Sequence, residues 1–163
     1  MMMALYVRLI DRFNKLLQLL LGVLIIVMTS VIFWQVFSRF FLSLPLRWSE
    51  ELARYIMAYI VFLASPIALR RGRLIAVGVI TEKLNFKQLR VLTIFIQVLI
   101  IGFSVLLATK GFEMIERVYI QVSPAMQIPM SIPYACIPIG AILLILNAVA
   151  IIFDLLLRKE GEE

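Results

Sequence analysis

Four ionisable residues, Arg47, Glu50, Glu51 and Arg54, open an otherwise apolar run, and their spacing gathers them within about two helical turns. On a helix Glu50 and Arg54 are four apart and Glu51 and Arg54 three apart, so either carboxylate can pair with the guanidinium. The fifteen uncharged residues that follow, 55–69, fall about five short of the ~20 needed to cross a bilayer. The charged turn therefore belongs to the span. At that depth the charges either face hydrated headgroups, as a solvated helix end whose carboxylates suit the dipole, or they meet another protein and become a docking surface. Arg39, which directly follows an earlier apolar run beside Phe40 and Phe41, poses the same choice between a snorkelling cation and a partner contact.

Other chemistries lack their residues. The chain has no histidine, which excludes bis-histidine haem ligation and leaves a hydrolase without its usual base. The single cysteine, Cys136, cannot form an intrachain disulfide and has no neighbouring metal ligands. The middles of the apolar runs hold only neutral polar residues: Thr29, Ser30, Gln35, Ser65, Gln97, Ser104 and Asn147. A transporter working alone places ionisable or discontinuous-helix sites there, and a proton-coupled multidrug carrier of the small four-helix kind needs a carboxylate deep in its first span. The sequence offers no catalytic, cofactor-binding or metal-ligating set, and the chain reads as a non-enzyme. The excess of Lys and Arg, 16 against 10 acidic residues, is not interleaved with exposed aromatics as nucleic-acid binding requires. It marks topology.

The elements that position these residues follow from apolar length. With 63% of its 163 residues apolar, the chain carries more apolar surface than a soluble domain of this size can hide, and it reads as a single all-α domain of four transmembrane helices. Measured against a hydrocarbon core of roughly 30 Å, the spans are expected at about 16–37, 49–69, 91–112 and 131–155. The uncharged run 16–38 exceeds a signal-peptide core and no A-x-A-like site follows it, which marks a retained anchor. Ser49 is placed to cap the second helix, with Trp48 and Tyr55 as interfacial aromatics. Glu113, Glu116 and Arg117 have contact spacing on a helix that continues past the third span. Pro124 and Pro129 suit a non-helical entry to the fourth span, while Pro133 and Pro138 predict a kink in its first turns. Gly22, Gly102 and Gly140, outside any G-x-x-x-G pattern, are expected to make packing contacts. Residues 4–16 place Leu5, Leu9, Phe13 and Leu16 on one face, the pattern of an amphipathic interfacial helix, and 74–81 is too short to cross and reads as a re-entrant or surface element.

Loop charge sets orientation. Arg8, Arg12 and Lys15, then Arg70, Arg71, Arg73, Lys83, Lys87 and Arg90, then Arg158 and Lys159 fall on one side, so both termini are expected in the cytoplasm. The Glu50/Glu51 turn then faces outward.

These residues resemble the small membrane subunit, of DctQ type, of tripartite ATP-independent periplasmic (TRAP) transporters. The resemblance rests on Arg39 closing the first span, the W-S-E-E-L-A-R core with Trp48, Glu50, Glu51 and Arg54, the following Tyr55, the basic turn at 70–73, and S-P-A-M-Q-I-P-M-S-I-P-Y at 123–134. It departs at Leu74 and Gly78, where members often carry histidine and aspartate. The resemblance implies a multi-pass protein of the bacterial inner membrane, a fixed scaffold beside a large membrane subunit that carries a small organic acid and sodium. A periplasmic substrate-binding protein would deliver the acid, the lipid bilayer would surround the chain, and any sodium site would lie in the large partner. Arg39, Arg47, Trp48, Glu50, Glu51, Arg54 and Tyr55 would form the partner interface. The competing readings are a small four-span subunit of a tripartite tricarboxylate transporter and an autonomous homo-oligomeric exporter. A reporter active only in the cytoplasm and fused after Glu163 is expected to be active, and a silent, stably expressed fusion would overturn the orientation.

Overall fold

Inside a bilayer the backbone has no water to bond, so long apolar runs are stable only as helices or closed barrels. This chain takes the helical solution. The computed structural model describes residues 2–41, 46–72 and 86–157, with side chains from residue 88 in the last stretch. It has four long helices, α1 (Met2–Phe41), α2 (Arg47–Arg70), α3 (Phe86–Val118) and α5 (Cys136–Leu157), and a short one, α4 (Ser131–Tyr134). Among the described residues there is no strand, only an isolated bridge between Val122 and Pro129. The stretches Met2–Phe41, Arg47–Arg70, Gln88–Val118 and Ser131–Leu157 are each long and apolar enough to cross a membrane.

The last helix is the axis of the bundle. α5 packs against α1, α2 and α3, and α1 also lies along α2. Of the most apolar part of Ser131–Leu157, 44% is buried inside the molecule, against 11% for α1 and 17% for α3, whose outer faces are left to lipid or partner protein. Two glycines allow the close approach. Pro66, inside α2, has no N–H and cannot bond the carbonyl of Phe62 one turn back. Gly140 of α5 lies against that carbonyl, where a Cβ would come within 2.8 Å of the Phe62 oxygen. On the α3 side a Cβ at Gly111 would meet Pro138 Cδ at 2.9 Å. Of the three glycines expected to pack, only Gly140 does; Gly22 and Gly102 are exposed and have nothing within 4 Å of where a Cβ would stand.

Around this axis, Leu17 and Leu21 of α1, Leu63 and Ile67 of α2 and Leu143 of α5 form the apolar core. Polar ties bind the same three helices toward one end. Asn14 donates to Asn147 at 2.7 Å, both side chains being buried, and Asn147 also donates to the Leu143 carbonyl at 2.9 Å. Arg70, at the last turn of α2, bonds Asp11 of α1 at 2.9 Å and Asp154 of α5 at 3.2 Å. Tyr6 adds a bond to the Leu146 carbonyl at 3.1 Å and an edge-on contact with Phe153. By contrast, Gln97 and Ser104 of α3 are fully buried, and among the described residues their side chains have no hydrogen-bond partner.

Several local expectations change. Residues 4–16 are not a separate element but the first part of the unbroken 40-residue α1, which at about 1.5 Å per residue is roughly 60 Å long. Their expected apolar face, Leu5, Leu9, Phe13 and Leu16, is exposed, while Ile10, Asn14 and Leu17 turn to the bundle. Ser49 is not the N-cap of α2. The helix begins two residues earlier, after Leu46, and the fully buried Ser49 hydroxyl donates back to the Leu46 carbonyl at 2.7 Å. α3 runs on through Glu113 to Val118, and the proline-rich entry is interrupted at Ala135, between α4 and α5. The 74–81 segment lies outside the described residues.

Gly140→Ala is expected to lower the thermal midpoint of the detergent-solubilised protein by the equivalent of about 1–3 kcal/mol, because the added methyl meets backbone rather than a movable side chain. Gly102→Ala, in open space, is expected to leave it unchanged or slightly raised. Equal midpoints for the two variants would contradict the close α2–α5 contact.

Candidate functional site

The twelve residues between α3 and α4, 119–130, cannot continue a helix through Pro124 and Pro129, and their backbone groups need other partners. Two bonds fold the segment on itself, Ser123 N–H to the Ile128 carbonyl and Met130 N–H to the Gln121 carbonyl, both at 2.9 Å. The turn places Gln127 in the left-handed region, at φ 55°. The N–H groups of Ala125 and Met126 then point at one spot. Glu51, on the second turn of α2, fills it: one carboxylate oxygen accepts from Ala125 at 2.8 Å and from Met126 at 3.1 Å. The other oxygen accepts the Tyr55 hydroxyl from one turn along the same helix. The buried Ser123 hydroxyl stands beside the carboxylate and accepts from the Ile128 N–H at 3.3 Å.

Glu51 is thus only 7% exposed, and its charge is met by successive amide dipoles in the manner of an anion-binding nest. The amino-terminal end of α2 adds favourable potential from the other side. Tyr59, about two turns beyond Glu51 on α2, donates to the Ile132 carbonyl at 2.7 Å and ties the same helix to α4. The start of α2 is therefore the frame on which the loop and the entrance to α5 are built.

Its neighbours point outward. Glu50 accepts from Gln35 of α1 at 2.9 Å. Arg39, Arg47 and Arg54 are exposed, and Trp48 is half exposed. The expected pairing of Arg54 with Glu50 or Glu51 does not form: among the described residues no ion pair joins them. Glu51 has turned inward to the loop and Glu50 across to α1, each drawn by a donor that helix spacing could not reveal. Beside them opens a cavity of about 530 Å³ between α2, the loop and α5, with Arg47, Arg54, Tyr55, Phe62, Pro133 and Tyr134 in its wall. Farther round, Glu113 of α3 pairs with Lys110 at 2.8 Å and Arg117 at 3.9 Å, all exposed.

The arrangement suits recognition better than reaction. One carboxylate is turned inward and held by neutral donors, and arginines are left outside beside aromatic and apolar surface. Among the described residues there is no group of three or more His, Cys, Asp or Glu able to hold a metal ion. Cys136 is buried, as a packing residue would be.

Residues 28–158 match the family described as Tripartite ATP-independent periplasmic transporters, DctQ component. The chain belongs to the DctQ family. It is 24% identical over 127 residues to the sialic acid TRAP transporter small permease protein SiaQ of Vibrio cholerae, covering 78% of this chain and 73% of that protein. It is 31% identical over 95 residues to the isethionate TRAP transporter permease protein DctMQ of Oleidesulfovibrio alaskensis, covering 57% of this chain and 15% of that one. A similar 31% identity over 87 residues relates it to the sialic acid TRAP transporter permease protein SiaT of Haemophilus influenzae, covering 53% of this chain and 14% of the relative. The chain thus spans about a seventh of the two larger permeases it resembles. DctQ proteins are transporter subunits rather than enzymes, and this one is a multi-pass membrane protein. The family match takes in Arg39, the Glu51 turn and the 119–130 loop, whereas Asp11 and Asn14 lie before it.

Glu51→Ala is expected to speed hydrogen exchange at the Ala125 and Met126 amides by roughly tenfold or more, since bonds to a charged acceptor contribute about 1.5–3 kcal/mol. Glu50→Ala, whose partner is on α1, is expected to leave those amides protected. Equal exchange in the two variants, followed by mass spectrometry, would show that Glu51 does not hold the loop.

Proposed function

We propose that this DctQ-family chain is the small permease subunit of a TRAP transporter, a fixed membrane scaffold beside a large permease subunit. The system takes up a small organic acid, driven by sodium and delivered by a soluble binding protein, and it resides in the bacterial inner membrane. The observation that carries this reading is the match over 28–158, supported by two larger permeases in which 95 and 87 residues of likeness to this chain make up only 15% and 14% of the length. A single chain that holds both parts would keep them adjacent. The neutral middles of the spans support it too, because ion and substrate sites then belong to the partner.

In this reading both termini face the cytoplasm and the Glu51 end faces the periplasm. Arg39, Arg47, Trp48, Glu50, Arg54 and Tyr55 form the surface offered to partner proteins, and Glu51 shapes it from within. The double substitution Arg47→Glu/Arg54→Glu alters only exposed side chains. In vesicles holding both membrane subunits, it should reduce binding-protein-dependent, sodium-driven uptake by roughly tenfold or more at limiting binding protein, as reversal of interface charges does. The substrate to use is the acid that co-purifies with the binding protein. Undiminished uptake would reduce the patch to a solvated helix end.

A further inference from the structure

Away from Glu51, the opposite end of the bundle carries a polar pocket to which the scaffold role gives no task. It has a volume of about 360 Å³ and is walled by Asp11, Asn14, Lys15 and Gln18 of α1 together with Arg70 and Arg71. Arg70 is committed to Asp11 and Asp154 and forms the inner wall. The other two cations have no counter-charge among the described residues. Arg71 donates to the uncharged Gln18 at 2.6 Å, and among the described residues Lys15 takes part in no ion pair. With both aspartates counted against the three cations, the pocket and its support keep a net positive charge.

Depth narrows what the anion can be. Lys15 immediately precedes the charge-free run 16–38, and Arg70 and Arg71 immediately follow the charge-free run 55–69. The pocket therefore lies where two spans leave the hydrocarbon, at the level of lipid headgroups. Below it α1 offers an apolar track. Leu19 is one turn beyond Lys15, Gly22 one turn beyond Gln18, and Ile26 one turn farther. Leu19 and Ile26 are 69% and 66% exposed, and nothing approaches the Cβ position of Gly22 within 4 Å. A glycine between two leaning aliphatic side chains leaves a shallow notch.

We propose that this pocket holds the phosphate of an anionic phospholipid between Lys15 and Arg71, with one acyl chain lying along Leu19, Gly22 and Ile26. A free phosphate would satisfy the cations but has no use for the track, and a zwitterionic headgroup brings its own cation to a site already cationic.

The test is native mass spectrometry of the full chain released from detergent with phosphatidylglycerol or phosphatidylcholine of identical acyl chains. Phosphatidylglycerol should be retained roughly fivefold or more over phosphatidylcholine, in line with the attraction of one or two cations to an anionic headgroup. Lys15→Gln/Arg71→Gln, which touches only exposed side chains, should abolish that preference. Arg8→Gln/Arg12→Gln, exposed cations that do not line the pocket, should preserve it. Inorganic phosphate should not displace the lipid. Equal retention of the two lipids, equal loss in the two double variants, or displacement by inorganic phosphate would each overturn the proposal.

Discussion

A single carboxylate accepting two successive backbone N–H groups organises the end of the bundle where α2 begins. Glu51 gives Ala125 and Met126 the acceptor that a loop broken by prolines cannot supply from its own backbone, and the loop in return shelters a charge that would be costly near hydrocarbon. Each half of the exchange needs the other. The position of α4, the direction in which α5 enters the bundle and the outward display of Arg47 and Arg54 all follow from α2 holding this loop, with Tyr59 as a second tie.

The remaining polar groups obey the same requirement for internal partners. Arg70 gathers Asp11 and Asp154, so that α1, α2 and α5 are joined at the other end, and Asn14 with Asn147 joins α1 to α5 one step inward. Such bonds contribute modestly in a membrane, often about 0.6 kcal/mol and up to roughly 2. Their effect is to fix rotation and register, while close packing at Gly140 and Gly111 supplies contact along the length. A bundle tied at both ends and closely packed through its axis suits the proposed part of a fixed scaffold. Gln97 and Ser104, buried on α3 without partners among the described residues, are exceptions to this pattern of satisfaction.

Much of the architecture was legible because apolar length is a strong signal: the four long helices and the break near Pro133 and Pro138 could be placed from sequence alone. The site was legible only as a set of residues. Helix spacing brought Glu51 within reach of Arg54 and Tyr55, and Tyr55 does donate to it, but its other donors are amides 74 and 75 residues away, a relation no local period contains. Ser49 looked like a cap because serine before two glutamates usually is one, yet the helix starts earlier and buries it. Asp11, Asn14 and Asp154 carried a signal that went unread, polar residues on or beside apolar faces of helices, and their meaning depended on which helices meet. Gly22 and Gly102 show the converse. Small residues mark close approach only where a neighbour is present, and among the described residues none is.

The central claim is that this DctQ-family chain works as the smaller partner of a large permease. It is tested most directly by tagging the C-terminus, extracting the chain from its native membrane in mild detergent and identifying by mass spectrometry what accompanies it. The scaffold role predicts recovery of a much larger polytopic membrane protein in a defined ratio. Recovery of the chain alone, well folded and able to move solutes when reconstituted by itself, would contradict it.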